Sequence, residues 1–296
     1  MTAWRQKKST IVRTLGMGAT RMAFRSLERM APGPGAVLAE RLWCTLPKGR
    51  PRPPEPPGER FTVTVEGRTV VAERWGSGPT VYLMHGWGGW RGQFSAFVPG
   101  LVAAGYRVVA LDAPSHGDSD PGSYGPGRGL LPEFMAALAA VTRVGGPAYA
   151  VVGHSLGGAA TALAVLDGLP AERLVLVAPM ADPIAYTTVF ARTLGFGERI
   201  RTGFLTRLER RVGRPMSDFD IPARAAGRTG LPPMLVVHDR ADREVRYADA
   251  EAIVAAWPGA EGRWTDGLGH RRILRDPATV DAVVAYLSRA RVPQPR

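Results

Sequence analysis

The chain has 296 residues, 45% hydrophobic and 22% charged, the balance of a globular domain large enough to bury a substantial core. A single cysteine, Cys44, excludes an internal disulfide and a cysteine-built metal site, and the five histidines lack metal-ligand spacing. The net charge of +12 sits mainly at the N-terminus, where residues 1–60 hold 12 Lys/Arg against 4 Glu; with no aromatic–basic alternation and no nucleic-acid-binding motif, no nucleic-acid partner is expected.

No stretch is long and apolar enough for a spanning helix, and the basic N-terminus is not followed by the apolar run of a secretory signal, so a cytoplasmic chain is expected. Residues 10–30 have helical periodicity. Val12, Leu15, Ala19, Met22, Ala23, Leu27 and Met30 fall on one face, with Arg21, Arg25 and Arg29 opposite. Pro32-Gly33-Pro34-Gly35 should stop this helix, and a second short one is expected over Ala36–Trp43. Two readings of residues 1–58 stand side by side. One is a helical arm lying on its own domain; the other is a peripheral membrane or partner contact. Lys48 to Gly58 reads as a stiff, extended Pro-rich linker.

The folded core should begin near Arg60. Phe61–Val65 and Thr69–Trp75 alternate as two strands around Glu66-Gly67. Thr80–Met84 is a buried strand running into His85-Gly86-Trp87-Gly88-Gly89, and a helix should follow to about Ala104. Tyr106–Leu111 is the next strand and ends at Asp112-Ala-Pro-Ser-His-Gly-Asp-Ser119; a helix is expected over Leu131–Val141. Then comes the strand Ala148–Gly153 with its turn, His154-Ser155-Leu156-Gly157, and an Ala/Leu-rich helix. Further strands are expected at Arg173–Val177, Pro233–Val237 and Arg263–Thr265, and a last helix over Pro277–Arg289. Strands alternating with helices call for α/β architecture, a doubly wound, mostly parallel sheet. The residues between Val177 and Pro233 exceed what a crossover needs. A small helical cap over the active site is expected there, at about 181–232.

Gly153-His154-Ser155-Leu156-Gly157 has the spacing of a sharp strand-to-helix turn, in which glycines make room and the serine hydroxyl is raised beside free helix N–H groups. A serine needs a neighbouring base, and that base needs an acid to hold its tautomer. His270, in the Asp266-Gly-Leu-Gly-His loop, is the candidate base. Asp239 and Asp242, after the strand Pro233–Val237, and Asp182, after the strand Arg173–Val177, are the candidate acids, and the family resemblance drawn next favours Asp242 over its near rival Asp239 and the weaker Asp182.

Taken with His85-Gly86-Trp87-Gly88 after the third strand and Gly269-His270 after the last, these pieces resemble the α/β-hydrolase fold, of the capped esterase, lipase and acyltransferase kind, over roughly residues 60–296. The resemblance implies a Ser155–His270–Asp242 triad and an oxyanion hole from the backbone N–H groups of Trp87 and Leu156. It implies a carboxylic ester or thioester as small-molecule substrate, cleaved through an acyl-enzyme on Ser155, with no metal or organic cofactor. Acyl transfer by the same residues and a non-catalytic ligand-binding role are the alternatives. Trp90, Phe190 and Phe196 are the expected apolar pocket residues. The Asp112–Ser119 loop resembles the family's Asp-x-Pro-Gly-x-Gly-x-Ser loop, with Ser115 in place of one glycine.

Overall fold

The computed structural model describes residues 2–47, 52 and 57–289, with side chains from residue 16 onward. Most of the expected Pro-rich linker therefore lies outside the described residues. The chain divides into two units, Met1–Thr45 with Asp182–Phe219, and Leu46–Ala181 with Asp220–Arg296.

The larger unit is built on one sheet. Its strands are β1 (Glu59–Val65), β2 (Arg68–Trp75), β3 (Thr80–Met84), β4 (Arg107–Leu111), β5 (Ala148–His154), β6 (Ala171–Val177), β7 (Met234–Asp239) and β8 (Ala260–Thr265). They lie in the order β1-β2-β4-β3-β5-β6-β7-β8. β2 runs antiparallel to both its neighbours, and every pair from β4 to β8 is parallel. The β1–β2 turn places Glu66 and Gly67 at φ 49° and 76°, the positive-φ pair that matches the twist of a two-residue hairpin.

β3, β5 and β7 are buried along their whole length, as parallel strands covered on both faces must be. Alternate side chains divide between the faces. Val81, Leu83, Val108, Val152, Val175 and Val237 join one core with Phe97, Leu101, Val283 and Leu287 of the helices Phe97–Ala103 and Pro277–Arg289. Each such side chain contributes about 1.5–3 kcal/mol when fully buried. Across the sheet lie Leu131–Gly145 and Leu156–Leu166, packed on each other, with Ile221–Ala225 and Tyr247–Ala256 continuing the layer. The result is a doubly wound, mostly parallel α/β sheet. β8 begins three residues before its expected start because it is an edge strand whose Glu261, Gly262 and Arg263 are exposed, so no apolar alternation marks it.

The smaller unit is helical and groups the N-terminal segment with residues 182–219. Its helices are Thr2–Met30, Pro32–Trp43, Pro183–Leu194 and Glu198–Val212, followed by a short 3-10 turn. The first helix ends at Met30, just before Pro32-Gly33-Pro34-Gly35 as expected, but the second starts at Pro32 rather than Ala36, so these four residues form its first turn. The break is at Ala31, and Pro32 takes the first helical position, where its missing N–H costs nothing. The inward stripe of the first helix is also not the one expected. Met22 and Met30 are 68% and 86% exposed, while Phe24 is fully buried and Leu27 and Glu28 are half-buried. The side chains of Val12 and Leu15 lie outside the described residues.

Partners distant in sequence explain that shift. Phe24 packs on Phe196 with ring centroids 5.0 Å apart. Glu28 accepts hydrogen bonds from the Gly197, Arg199 and Ile200 amides at 2.9, 3.0 and 3.2 Å, satisfying free N–H groups at the start of Glu198–Val212. Glu40, 1% exposed, binds Arg207 and Arg211 at 2.6 and 2.5 Å. Gly35 allows the helices this approach, since a Cβ there would collide with Ile200 Cδ1. No described helix is long and apolar enough to cross a membrane.

Candidate active site

The turn after β5 is built by close approach. Ser155 stands at φ 55°, ψ −122°, between the end of β5 and the helix Leu156–Leu166, and its N–H donates to the Val177 carbonyl at 2.9 Å. A Cβ on Gly157 would collide with the His85 carbonyl oxygen, and one on Gly153 would lie 2.6 Å from the Gly157 oxygen. Only glycine fits either place, which is the physical content of the Gly-x-Ser-x-Gly spacing. A serine held at positive φ is strained, and such strain is retained where the surrounding structure over-determines it.

Three side chains meet at this turn. The Ser155 hydroxyl donates to His270 Nε2 at 2.9 Å, and His270 Nδ1–H donates to Asp242 Oδ2 at 2.7 Å. The Asp242 carboxylate is fully buried. Its Oδ1 accepts from the Glu244 and Val245 amides at 2.7 and 3.0 Å. Burial pushes this carboxyl up, but hydrogen bonds from His238, His270 and the Val245 amide outweigh it and hold it far below the usual carboxylate range. It is therefore an anion throughout the physiological range. His238, which carried no role in the sequence reading, sits with Nε2 3.5 Å from Asp242 Oδ2 and 3.3 Å from the Val245 carbonyl.

The rival acids have other tasks. Asp239 accepts from the Leu268 amide and the Thr265 hydroxyl at 2.8 Å each and from the Ala241 amide at 3.0 Å. It thereby ties down the loop that carries His270. Asp182 accepts from the Ile184 amide at 2.8 Å and caps the helix Pro183–Leu194.

The His85-Gly86-Trp87 turn lies against the serine, since a Cβ on Gly86 would be 3.1 Å from Ser155 Cβ. His85 braces it, with Nδ1–H donating to the Gly86 carbonyl at 2.7 Å and Nε2 accepting from the Ala113 amide at 3.0 Å. The Trp87 ring sits with His116 and Phe134, at 5.6 and 6.4 Å between centroids. Arg91 secures the far end of the same loop. Its guanidinium binds Glu73, Asp112 and Asp118 at 2.8, 2.6 and 3.0 Å, and its amide donates to Asp112 at 2.6 Å. Sequence reasoning missed Arg91 and Glu73; a charged residue beside the His-Gly turn was the only signal. Ser115, the departure from the Gly-rich pattern, does stand at φ 66°.

Of the expected pocket residues, Trp90 is half-buried at the start of the Arg91–Phe94 turn. Phe190 and Phe196 belong to the helical unit. The Phe190 ring lies 5.2 Å from Trp43 and 5.8 Å from Phe196, and Phe196 lies 5.0 Å from Phe24. Phe196 is buried in this aromatic cluster, and Phe190 is half-buried at its edge. A groove of about 700 Å³ lined by Trp75, Val98, Val102 and Arg107 shares no residue with the serine cluster and is a separate feature.

Three buried histidines around the serine are held neutral. Burial lowers His85 to about 4; burial and then the proximity of His85 lower His116 to about 3; burial and then His270 lower His154 to about 3. His154 uses its Nε2–H to hold the His270 carbonyl at 2.9 Å. Below pH 6.5, the ordinary histidine value, the unfolded chain binds protons that the folded chain refuses. Stability present above that pH is therefore lost as pH falls toward 4 and then 3. With three such groups the steepest loss is about 4 kcal/mol per pH unit. Urea unfolding at a series of pH values should show the midpoint falling steeply below pH 6.5, and His116→Gln should reduce the slope by about one proton. A flat midpoint down to about pH 4.5 would contradict this.

A sequence profile described as the alpha/beta hydrolase family matches residues 81–283. The chain is 32% identical over 156 residues to a dihydrolipoyllysine-residue acetyltransferase component of an acetoin cleaving system from Cupriavidus necator, covering 51% of this chain and 37% of that protein. It is 33% identical over 98 residues to a non-heme haloperoxidase from Rhodococcus erythropolis, covering 33% of this chain and 35% of that protein. The matched region thus spans little more than a third of either relative. An esterase from Exiguobacterium antarcticum has the same fold, with a TM-score of 0.57 at 16% identity, over 76% of this chain and 98% of the esterase.

Proposed function

The chain belongs to the alpha/beta hydrolase family, and from that premise we propose that it is a serine hydrolase cleaving a carboxylic ester or thioester through an acyl-enzyme on Ser155. The observation that carries the reading is the unbroken hydrogen-bonded line from Asp242 through His270 to Ser155. The Asp242 anion holds the Nδ1–H tautomer of His270, leaving Nε2 with its lone pair toward the serine. As Oγ of Ser155 attacks the carbonyl carbon, His270 Nε2 takes the hydroxyl proton. It returns that proton to the departing alcohol or thiol as the tetrahedral intermediate collapses. Water then attacks the acyl-enzyme, His270 takes its proton, and release of the acid restores the serine.

The developing oxyanion is assigned to the backbone N–H groups of Leu156, at the start of its helix, and Trp87, on the turn against Ser155. Each such donor contributes about 3–4 kcal/mol to transition-state stabilisation. The bracing by His85 and Arg91 fits this role, because a donor is effective only when it is fixed before charge develops.

A second reading is acyl transfer to an acceptor other than water. The acetyltransferase name carried by one relative favours it, and the same residues would serve. A fluorophosphonate probe tests the activated serine. It should label the full chain at Ser155, and p-nitrophenyl esters should turn over. Adding an alcohol acceptor then separates the two readings, because transfer product well above hydrolysis would assign the chain to acyl transfer. A folded chain that neither labels nor turns over would remove both.

A further inference from the structure

Residues 1–45 contain only two acidic side chains, Glu28 and Glu40. Both are spent inward, Glu28 on the amides at the start of Glu198–Val212 and Glu40 on Arg207 and Arg211. The outward side of this helix pair is left cationic and apolar. In Pro32–Trp43 the inner stripe is Gly35, Ala36, Ala39 and Glu40, so Val37, Leu38, Arg41 and Leu42 face outward. Val37, Leu38 and Leu42 are 36–39% exposed and lie together on this one helix face. On the preceding helix the exposed positions include Met22, Arg25, Arg29 and Met30. The whole helical unit carries 15 Lys/Arg against 6 Asp/Glu, a net +9, which is three-quarters of the chain's net +12.

We propose that this outward face docks on an anionic phospholipid bilayer surface. The face combines two properties that such a surface rewards together. Guanidinium groups bind lipid phosphates, and unbranched or branched apolar side chains enter the boundary between headgroups and acyl chains. A second copy of the chain would set one unit of +9 against another, with arginines opposed. A nucleic acid would answer the charge but give Leu38, Leu42 and Met30 nothing apolar to enter. The helices lie in the plane of the interface rather than across it, consistent with their length and charge. The proposal goes beyond the hydrolytic reading and does not depend on it, since binding is read without turnover.

The test is co-sedimentation of the full chain with phosphatidylcholine vesicles made with and without phosphatidylglycerol, at low and high salt. Two exposed-face variants accompany it, Leu38→Ser with Leu42→Ser, and Arg25→Glu with Arg29→Glu; thermal melting verifies that each is folded. The expected result is binding to the anionic vesicles only, reduced at least about tenfold by high salt and by either variant, since each cation near such a surface is worth about fivefold. Failure to bind anionic vesicles would overturn the proposal, as would binding that both variants leave unchanged. Sedimentation equilibrium supplies the remaining outcome: concentration-dependent dimerisation lost in Leu38→Ser with Leu42→Ser, without vesicle binding, would assign the face to a second copy and overturn the lipid assignment.

Discussion

Ser155→Ala is expected to lower kcat for a p-nitrophenyl ester by about 10⁵-fold with little change in KM. The hydroxyl is the only atom removed, and it contributes a single hydrogen bond, to His270 Nε2. Alanine keeps the Cβ and bears the φ of 55° no worse than serine, so the turn survives and stability should change by no more than about 1 kcal/mol. His270, Asp242 and the proposed donors at Trp87 and Leu156 remain. A residual rate above water is therefore expected, from polarisation of the ester carbonyl alone. Steady-state kinetics together with fluorophosphonate labelling check this. A variant retaining more than about a tenth of the rate would place the nucleophile elsewhere.

Asp242→Asn and Asp239→Asn are expected to fail in different ways, although Asp239 ends β7 and Asp242 follows only three residues later. In the first variant the amide would keep the shape but lose the negative charge that selects the Nδ1–H tautomer. The imidazole can then turn its protonated nitrogen toward Ser155, and kcat should fall by about 10³–10⁴-fold. The hydrogen bonds of Asp239 go to the segment that carries His270 rather than to its ring. Its carboxylate holds Thr265, Leu268 and Ala241, so its asparagine variant should unfold more easily, by about 1–3 kcal/mol, with a loss in kcat of about tenfold from a loosened loop. Measuring kcat and urea midpoint for both variants separates an acid that acts on the base from one that builds its support. The reverse pattern would make Asp239 the acid.

These two aspartates also mark what a sequence can and cannot carry. Gly153-x-Ser155-x-Gly157 was legible because its requirement is local: the glycines answer contacts of a few ångströms within one turn, and no other residue fits. The parallel strands were legible because burial on both faces demands an apolar run. The placement of His270 and Asp242 beside Ser155 was legible through chain order and the family resemblance, and Asp239 stayed open as a rival because the two acids stand three residues apart at the end of the same strand. Arg91 was hidden, since its partners Glu73, Asp112 and Asp118 are 18–27 residues away and obey no period. The aromatic neighbours of Phe190 and Phe196 were hidden for the same reason. Phe24 packs on Phe196 and Trp43 on Phe190, and both partners come from the far end of the chain.

The ion pairs of Glu40 reach across 171 residues of sequence, and this fixes an order of events at the ribosome. The first two helices emerge long before the helix that completes them. At about 5–20 residues per second the wait is roughly 10–30 s. During that interval Phe24, Gly35, Ala36 and Ala39 have no partner layer, and Glu40 has no arginines. The parallel sheet is also being extended while its N-terminal neighbour in sequence is still unfinished. The helical unit is thus expected to consolidate only after residue 219 has been made, and nascent chains halted before that point should leave the helix pair open to protease. Removing the first 45 residues would have a related effect on the mature protein, because Ile200, Phe204 and Leu208 would lose the layer that now buries them.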